Sequence, residues 1–248
     1  MERFIHLETV DSTNNYLKKL ALEGAESGTV VYADAQTAGR GRLGRSFVST
    51  KGDGIYLSYL FKPGKHVAEA VRLTARTAVV VSDAIEGYLR IRPQIKWVND
   101  LLINKRKVCG ILTEMSTDAE NNTVVIIGVG INTNKKVADF PEELQGFVGS
   151  IKSETGRTVD NNTLLSMIIA ALDRMCADYP GDEEDYISKY RKASVIEGRK
   201  VILHGSGDRE ATVVQINDDY SLCVRFPDGN MSKVSSGDVS IRGIYETK

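Results

Sequence analysis

The chain has 248 residues, 42% of them hydrophobic, enough for one large domain or one large and one small, with a sizeable packed core. Thirty-two basic residues stand against 33 acidic ones, a formal net charge of -1. That balance argues against a general affinity for nucleic acid, though not against a local basic patch.

No apolar run is long enough to cross a membrane, and Met1-Glu2-Arg3-Phe4 lacks the apolar core of a secretory signal. Cys109, Cys176 and Cys223 are odd in number and far apart, and His6, His66 and His204 form no ligand spacing. A cytoplasmic protein with reduced thiols and no histidine-held metal is therefore expected.

Phe4 to Leu7 alternates like a short strand and ends at Asp11-Ser12-Thr13, whose side-chain oxygens suit a helix start. Asn14 to Glu23 then spaces Tyr16, Leu17, Leu20 and Ala21 on one helical face. Thr29 to Ala33 is a predicted strand, followed by a loop rich in glycine and arginine and a second strand from Ile55 to Phe61. Glu69 to Leu89 is the longest predicted helix. Ile95 to Ile103 and Val108 to Met115 read as two arms of a hairpin around Asn104-Lys105-Arg106-Lys107. Val124 to Val129 is a continuous apolar run, as in a buried strand, and it leads into Gly130-Ile131-Asn132.

Two amphipathic helices follow, Leu164 to Tyr179 and Glu183 to Ala193, broken at Tyr179-Pro180-Gly181. From about Ile196 the texture changes to short β-like runs (201–203, 211–216, 221–226 and 239–241) separated by turn signals. The pattern predicts an α+β domain over residues 1–195 and a small all-β module over 196–248.

The most informative stretch is Gly39-Arg40-Gly41-Arg42-Leu43-Gly44-Arg45. Glycines permit close backbone approach or positive φ, and three arginines supply forked, permanently charged donors suited to phosphate. Gly39, Gly41 and Gly44 formally satisfy G-x-G-x-x-G, but the dinucleotide reading needs a helix directly after the loop. Here the chain runs through Ser46-Phe47 into another strand, and neither a Walker loop nor kinase signatures occur. On this segment alone, a flexible basic surface loop explains it equally well.

Four segments in order resemble the catalytic region of biotin–protein ligases. Asp11-Ser12-Thr13-Asn14 resembles D-S-T-N, and Gln36 through Phe47 resembles Q-x-A-G-R-G-R-x-G-R-x-W. Lys96-Trp97-Val98-Asn99-Asp100 with Lys107 through Glu114 resembles K-W-P-N-D…K-x-x-G-I-L-x-E, and Gly128 through Asn132 resembles G-x-G-I-N. Val98 stands where the family usually has proline, which is expected only to relax a local bend. Phe47 replaces a tryptophan, keeping a stacking face and losing an N–H donor.

The resemblance implies a class II synthetase-like core, a mixed sheet flanked by helices, with an SH3-like C-terminal β-barrel. It implies biotin and ATP as substrates, Mg²⁺ as a requirement, and transfer of biotin through biotinyl-AMP to a lysine of a biotin carboxyl carrier domain. It places Ser12, Thr13, Asn14 and Gln36 in a biotin pocket, where hydroxyls and amides suit a ureido ring; for Ser12 and Thr13 the plain alternative is a helix cap. Gly39, Arg40, Gly41 and Arg42 would wrap the biotin carboxylate and the α-phosphate, with Arg45, Phe47, Asn99 and Asn132 toward the nucleotide. The loop is expected to order when adenylate binds, shielding the reactive anhydride.

Lys107 is the leading catalytic candidate, bridging carboxylate and phosphate oxygens, against the alternative of a solvated hairpin lysine. Strand alternation puts it with Cys109 and Ile111 and leaves Gly110 on the opposite face, whereas the resemblance puts both near the ligand. Only a bulge or a backbone contact would reconcile the two, and no residue signals one. Asp100 either steers the acceptor lysine, helps hold Mg²⁺, or simply forms a turn with Asn99. Trp97 is expected in the core.

Among competing functions, a lipoate or octanoate ligase lacks this arginine–glycine loop and must take a linear acyl chain. A biotin-responsive repressor would carry a winged helix-turn-helix before D-S-T-N, and here that motif begins at Asp11. Direct DNA binding is therefore not expected, while partner-mediated regulation and homodimerisation stay open. The intact Arg40, Arg42 and Lys107 argue against a catalytically silent nucleotide-binding module.

Overall fold

Alternation along the central strands explains how the sheet acquires two different faces. The computed structural model describes residues 2–66, 69–204, 207–235 and 237–241; the expected C-terminal module thus extends, at 242–248, outside the described residues. Strands β1 (Phe4–Val10), β2 (Val30–Gln36), β3 (Gly54–Phe61), β4 (Gln94–Lys96), β5 (Asp100–Ile103), β6 (Arg106–Thr117) and β7 (Thr123–Asn132) form a seven-stranded sheet. Its order is β1-β2-β3-β7-β6-β5-β4, with β1 and β2 parallel and the other pairs antiparallel.

In β7, Val125, Ile127, Val129 and Ile131 face one way and join the main core with helices α2 (Ala70–Leu89), α4 (Asn161–Ala177) and α5 (Glu183–Ala193). The residues between them, Val124 and Ile126, face helix α1 (Thr13–Leu22) and meet its Leu17 and Ala21 in a second core. Helix α2 buries alanine, valine and threonine around most of its circumference, as a helix wrapped by neighbours must. Toward the C-terminal end of β7 the α1-facing residues become Gly128, Gly130 and Asn132, opposite Ser58 and Tyr56 of β3 and Leu112 and Gly110 of β6. Apolar side chains thus give way to glycine and serine on one face only. That is where space opens.

The predicted arm over 95–103 is not one strand. The chain reverses at Trp97-Val98-Asn99, so that β4 and β5 pair with each other, Gln94 opposite Leu102 and Lys96 opposite Asp100. Trp97 and Val98 are adjacent and both buried, at 4% and 1% exposure, which a half-buried strand of period two cannot accommodate. The bend therefore persists without proline, and the Trp97–Val98 peptide is cis. The hairpin between β5 and β6 turns at Asn104-Lys105, both at positive φ (49° and 67°), as a two-residue type I′ turn requires. Sequence reasoning also missed the short helix α3 (Ile151–Thr155).

Strands β8 (Lys200–His204), β9 (Arg209–Ile216), β10 (Leu222–Arg225), β11 (Met231–Val234) and β12 (Asp238–Ile241) form a separate antiparallel sheet in the order β11-β10-β9-β8-β12, consistent with the SH3-like module. Strand β11 had not been anticipated, since three of its four residues are exposed. Polar bonds fasten this module to the first: Trp97 Nε1–H donates to the Tyr220 carbonyl at 2.7 Å, and Arg191 donates to the Ile216 carbonyl and Asp218. The main core runs continuously through both. We propose residue 195/196 as the boundary. No helix among the described residues is long and apolar enough to cross a membrane.

Candidate active site

The glycine- and serine-lined face opens into a cavity of about 410 Å³. Of the residues singled out from sequence, Ser12, Thr13, Asn14, Gln36, Arg40, Gly41, Arg42, Arg45, Phe47, Asn99, Asp100, Lys107, Gly110 and Asn132 all line it. Gly39 does not. Its hydrogen faces the returning chain, where a β-carbon would sit 2.3 Å from the Phe47 carbonyl oxygen, so this glycine serves the loop's closure.

One end of the cavity is a polar network at the start of α1. Ser12 holds the N-cap position in extended conformation, yet its side chain caps nothing. The Thr13 N–H, one of the orphan donors of the helix start, is taken instead by Gln36 Oε1 at 2.9 Å. Gln36 Nε2 donates to Ser49 Oγ at 2.8 Å. Ser58 Oγ lies 2.5 Å from Asn14 Oδ1 and 2.8 Å from Thr13 Oγ1, and Asn14 Nδ2 donates to Glu114 at 2.8 Å. The cap reading of Ser12 therefore fails, and its hydroxyl is left to the cavity. Ser49 and Ser58 carried no signal beyond their places in or beside strands.

The arginine loop folds back on itself: Gly41 N–H donates to the Arg45 carbonyl at 2.7 Å and Phe47 N–H to that of Gly39 at 2.8 Å. Arg40 reaches Glu114 at 3.0 Å and Asn15 at 3.0 Å. Arg42 donates to Asn99 Oδ1 at 3.2 Å and to the Gly237 carbonyl at 3.4 Å. The ring of Phe47 lies over Gly130 and Gly110, close enough that a β-carbon on Gly130 would be 2.7 Å from a ring carbon. Asn132 is 4% exposed and spends its amide hydrogen on the Gly149 carbonyl at 3.1 Å.

The conflict over Lys107 resolves through a bulge. Leu101 opposes Cys109, but Leu102 opposes Lys107, so Val108 is the extra residue in β6. Val108 and Cys109 are consecutive and both fully buried. The extra residue flips Lys107 onto the face of Gly110, where its Cε lies 3.2 Å from the point a Gly110 β-carbon would occupy. Its ammonium pairs with Asp100 at 2.7 Å. Behind it, burial pushes the Cys109 thiol well above its ordinary range, so that group stays neutral.

Among the described residues, three arginines, Lys96 and Lys107 line the cavity against the single carboxylate of Asp100, so the interior is suited to anions. No group of three or more His, Cys, Asp or Glu among the described residues could hold a metal ion. Sequence reasoning missed two contributors to the wall: Phe140, Leu144, Phe147 and Val148, from the segment between β7 and α3, and Gly237 and Ser240 from the C-terminal module. The aromatic residues of 140–148 beside Pro141 were the available signal.

Residues 6–132 match the model of the biotin/lipoate A/B protein ligase family. The chain is 38% identical over 72% of its length to the bifunctional ligase/repressor BirA of Bacillus spizizenii, spanning 55% of that protein. It is 33% identical to a biotin–[acetyl-CoA-carboxylase] ligase of Paracoccus denitrificans, over 90% of this chain and 94% of the relative. In structure it is similar to the biotin protein ligase of Aquifex aeolicus in complex with biotin and ATP, with a TM-score of 0.83, 29% identity, and coverage of 98% of this chain and 99% of the other.

Proposed function

The chain belongs to the biotin/lipoate A/B protein ligase family, and on that premise we propose that it is an ATP-dependent biotin–protein ligase. It forms biotinyl-AMP and passes the biotinyl group to a lysine of a biotin carboxyl carrier domain. The observation that carries this reading is the pairing, in one cavity, of a polar network with a cluster of cations.

The ureido ring, which offers two N–H donors and a carbonyl acceptor, exchanges hydrogen bonds with Ser12, Thr13, Asn14 and Gln36. Its valeryl tail points the carboxylate toward Arg40, Arg42 and Lys107. Attack by that carboxylate on the α-phosphorus brings two anions together and expels pyrophosphate, so the work lies in positioning and charge neutralisation. Lys107 stands where a cation can touch both groups, and the Asp100 carboxylate fixes its ammonium. Phe47 offers a flat apolar surface for the nucleotide, with Asn132 and Arg45 around it. The polar network favours a hydrogen-bonding ring over the linear acyl chain of a lipoate or octanoate ligase.

Mg²⁺ fits this cavity as a companion of ATP. Asp100 is the one carboxylate lining it among the described residues, so phosphate oxygens and water would supply most of the ligands. The ion would contribute charge neutralisation on the phosphates.

ATP–pyrophosphate exchange tests the reading. Exchange should require biotin and be absent with lipoate or octanoate. Exchange supported equally by lipoate would transfer the assignment to the other branch of the family.

A further inference from the structure

The C-terminal module brings a hydrogen-bonded chain of three side chains to the cavity wall. Ser240 on β12 lines the cavity, three residues after the Gly237 carbonyl that receives Arg42. Its Oγ lies 2.8 Å from His204 Nε2, and His204 Nδ1 lies 2.8 Å from Asp208 Oδ1. A carboxylate only accepts, so Nδ1 carries the hydrogen and Nε2 is left to accept the Ser240 hydroxyl proton. Asp208 is 64% exposed and His204 32%, so the far end of the chain meets solvent. The near end meets the same cavity that, on the ligase reading, holds the reacting carboxyl.

We propose that Ser240, His204 and Asp208 form a proton relay that serves the second half-reaction, resting on the ligase reading above. An acceptor lysine arrives as an ammonium at neutral pH and cannot attack until it loses a proton. In the relay that proton passes to Ser240 Oγ while the serine's own proton passes to His204 Nε2. The imidazolium, held by Asp208, then returns a proton to water. The amine lone pair forms the N–C bond to the acyl carbon, and the acyl–oxygen bond to phosphate breaks, AMP leaving with that electron pair. The second nitrogen proton exits by the same route. No part of this chain is needed for adenylate formation, in which the nucleophile is already a carboxylate.

The assignment divides the two half-reactions experimentally. His204→Gln, Ser240→Ala and Asp208→Asn are compared with the unsubstituted full chain in three assays. These are pyrophosphate exchange, single-turnover transfer from preformed enzyme-bound adenylate to an acetyl-CoA carboxylase carrier domain, and consumption of that adenylate by hydroxylamine. Hydroxylamine is unprotonated at neutral pH and needs no relay. Transfer to the carrier lysine should fall about 100-fold for His204→Gln and Ser240→Ala, the lower end of the scale of general base catalysis, and less, about 10-fold, for Asp208→Asn, which only orients the imidazole. Exchange and hydroxylamine consumption should stay near those of the unsubstituted enzyme. Unchanged transfer in both of the first two variants overturns the relay. So does a parallel loss in all three assays, which would make the cluster a structural prop. Absence of exchange in the unsubstituted enzyme overturns the ligase reading itself and the relay with it.

Discussion

Replacing Gly130 with alanine should damage the nucleotide end of the cavity in a way that can be traced to one neighbour. The added β-carbon would lie 2.7, 2.8 and 3.1 Å from three ring carbons of Phe47, roughly 1 Å inside ordinary carbon–carbon contact. Strand β7 cannot give way, because Gly130 is paired with Tyr56 on one side and Gly110 on the other, in the middle of the sheet. The ring must move instead, and overpacking of this kind costs about 1–3 kcal/mol. Urea unfolding should register that loss, and the KM for ATP in pyrophosphate exchange should rise with biotin saturating. In the Phe47→Ala background the same substitution should cost almost nothing, leaving a coupling energy of about 1–3 kcal/mol between the two sites. Simple additivity of the two substitutions, in stability and in KM, would refute the placement of the ring and with it the stacking role given to Phe47.

Three further outcomes are expected. Lys107→Ala should slow exchange by about 100- to 1,000-fold, the value of one preorganised charge on a developing anion. It should lower unfolding stability by only about 1 kcal/mol, since the ammonium is partly solvated; exchange at the unsubstituted rate would remove Lys107 from the mechanism. Trypsin should cut at Arg40, Arg42 and Arg45 more slowly with biotin and ATP together than without them, and equal rates would contradict closure of the loop. Trp97→Phe deletes the donor to the Tyr220 carbonyl, so urea stability should fall by about 1–3 kcal/mol with little change in exchange by the folded protein. A lost exchange rate at unchanged stability would mean that Trp97 acts on the ligand.

Local pattern carried α2, an alanine-rich run, and β7, an apolar run ending in glycines, and it marked a hairpin around residues 104–107, though not that its turn is only Asn104-Lys105. Pattern failed where one residue changes the register. Alternation assigned Lys107 to the wrong face because the extra residue is Val108, chemically an ordinary strand residue whose bulge arises only from the pairing of β5 with β6. The arm over 95–103 looked continuous because Trp97 and Val98 are both apolar, and their burial against different partners is a tertiary fact. The site followed the same rule. Apart from Gly39, the site residues named within the family-like motifs gathered in one cavity, whereas Ser240 and Phe140 come from segments distant in sequence, and only the packing of the two modules and the 137–148 segment brings them to the wall.

A crystal structure with biotin and a non-hydrolysable ATP analogue would test the central claim most directly. The account predicts the ureido ring among Thr13, Asn14 and Gln36, with Lys107 Nζ within hydrogen-bond distance of both the carboxylate and the α-phosphate. Ligands bound outside this cavity, or Arg40, Arg42 and Lys107 turned away from both anions, would contradict it.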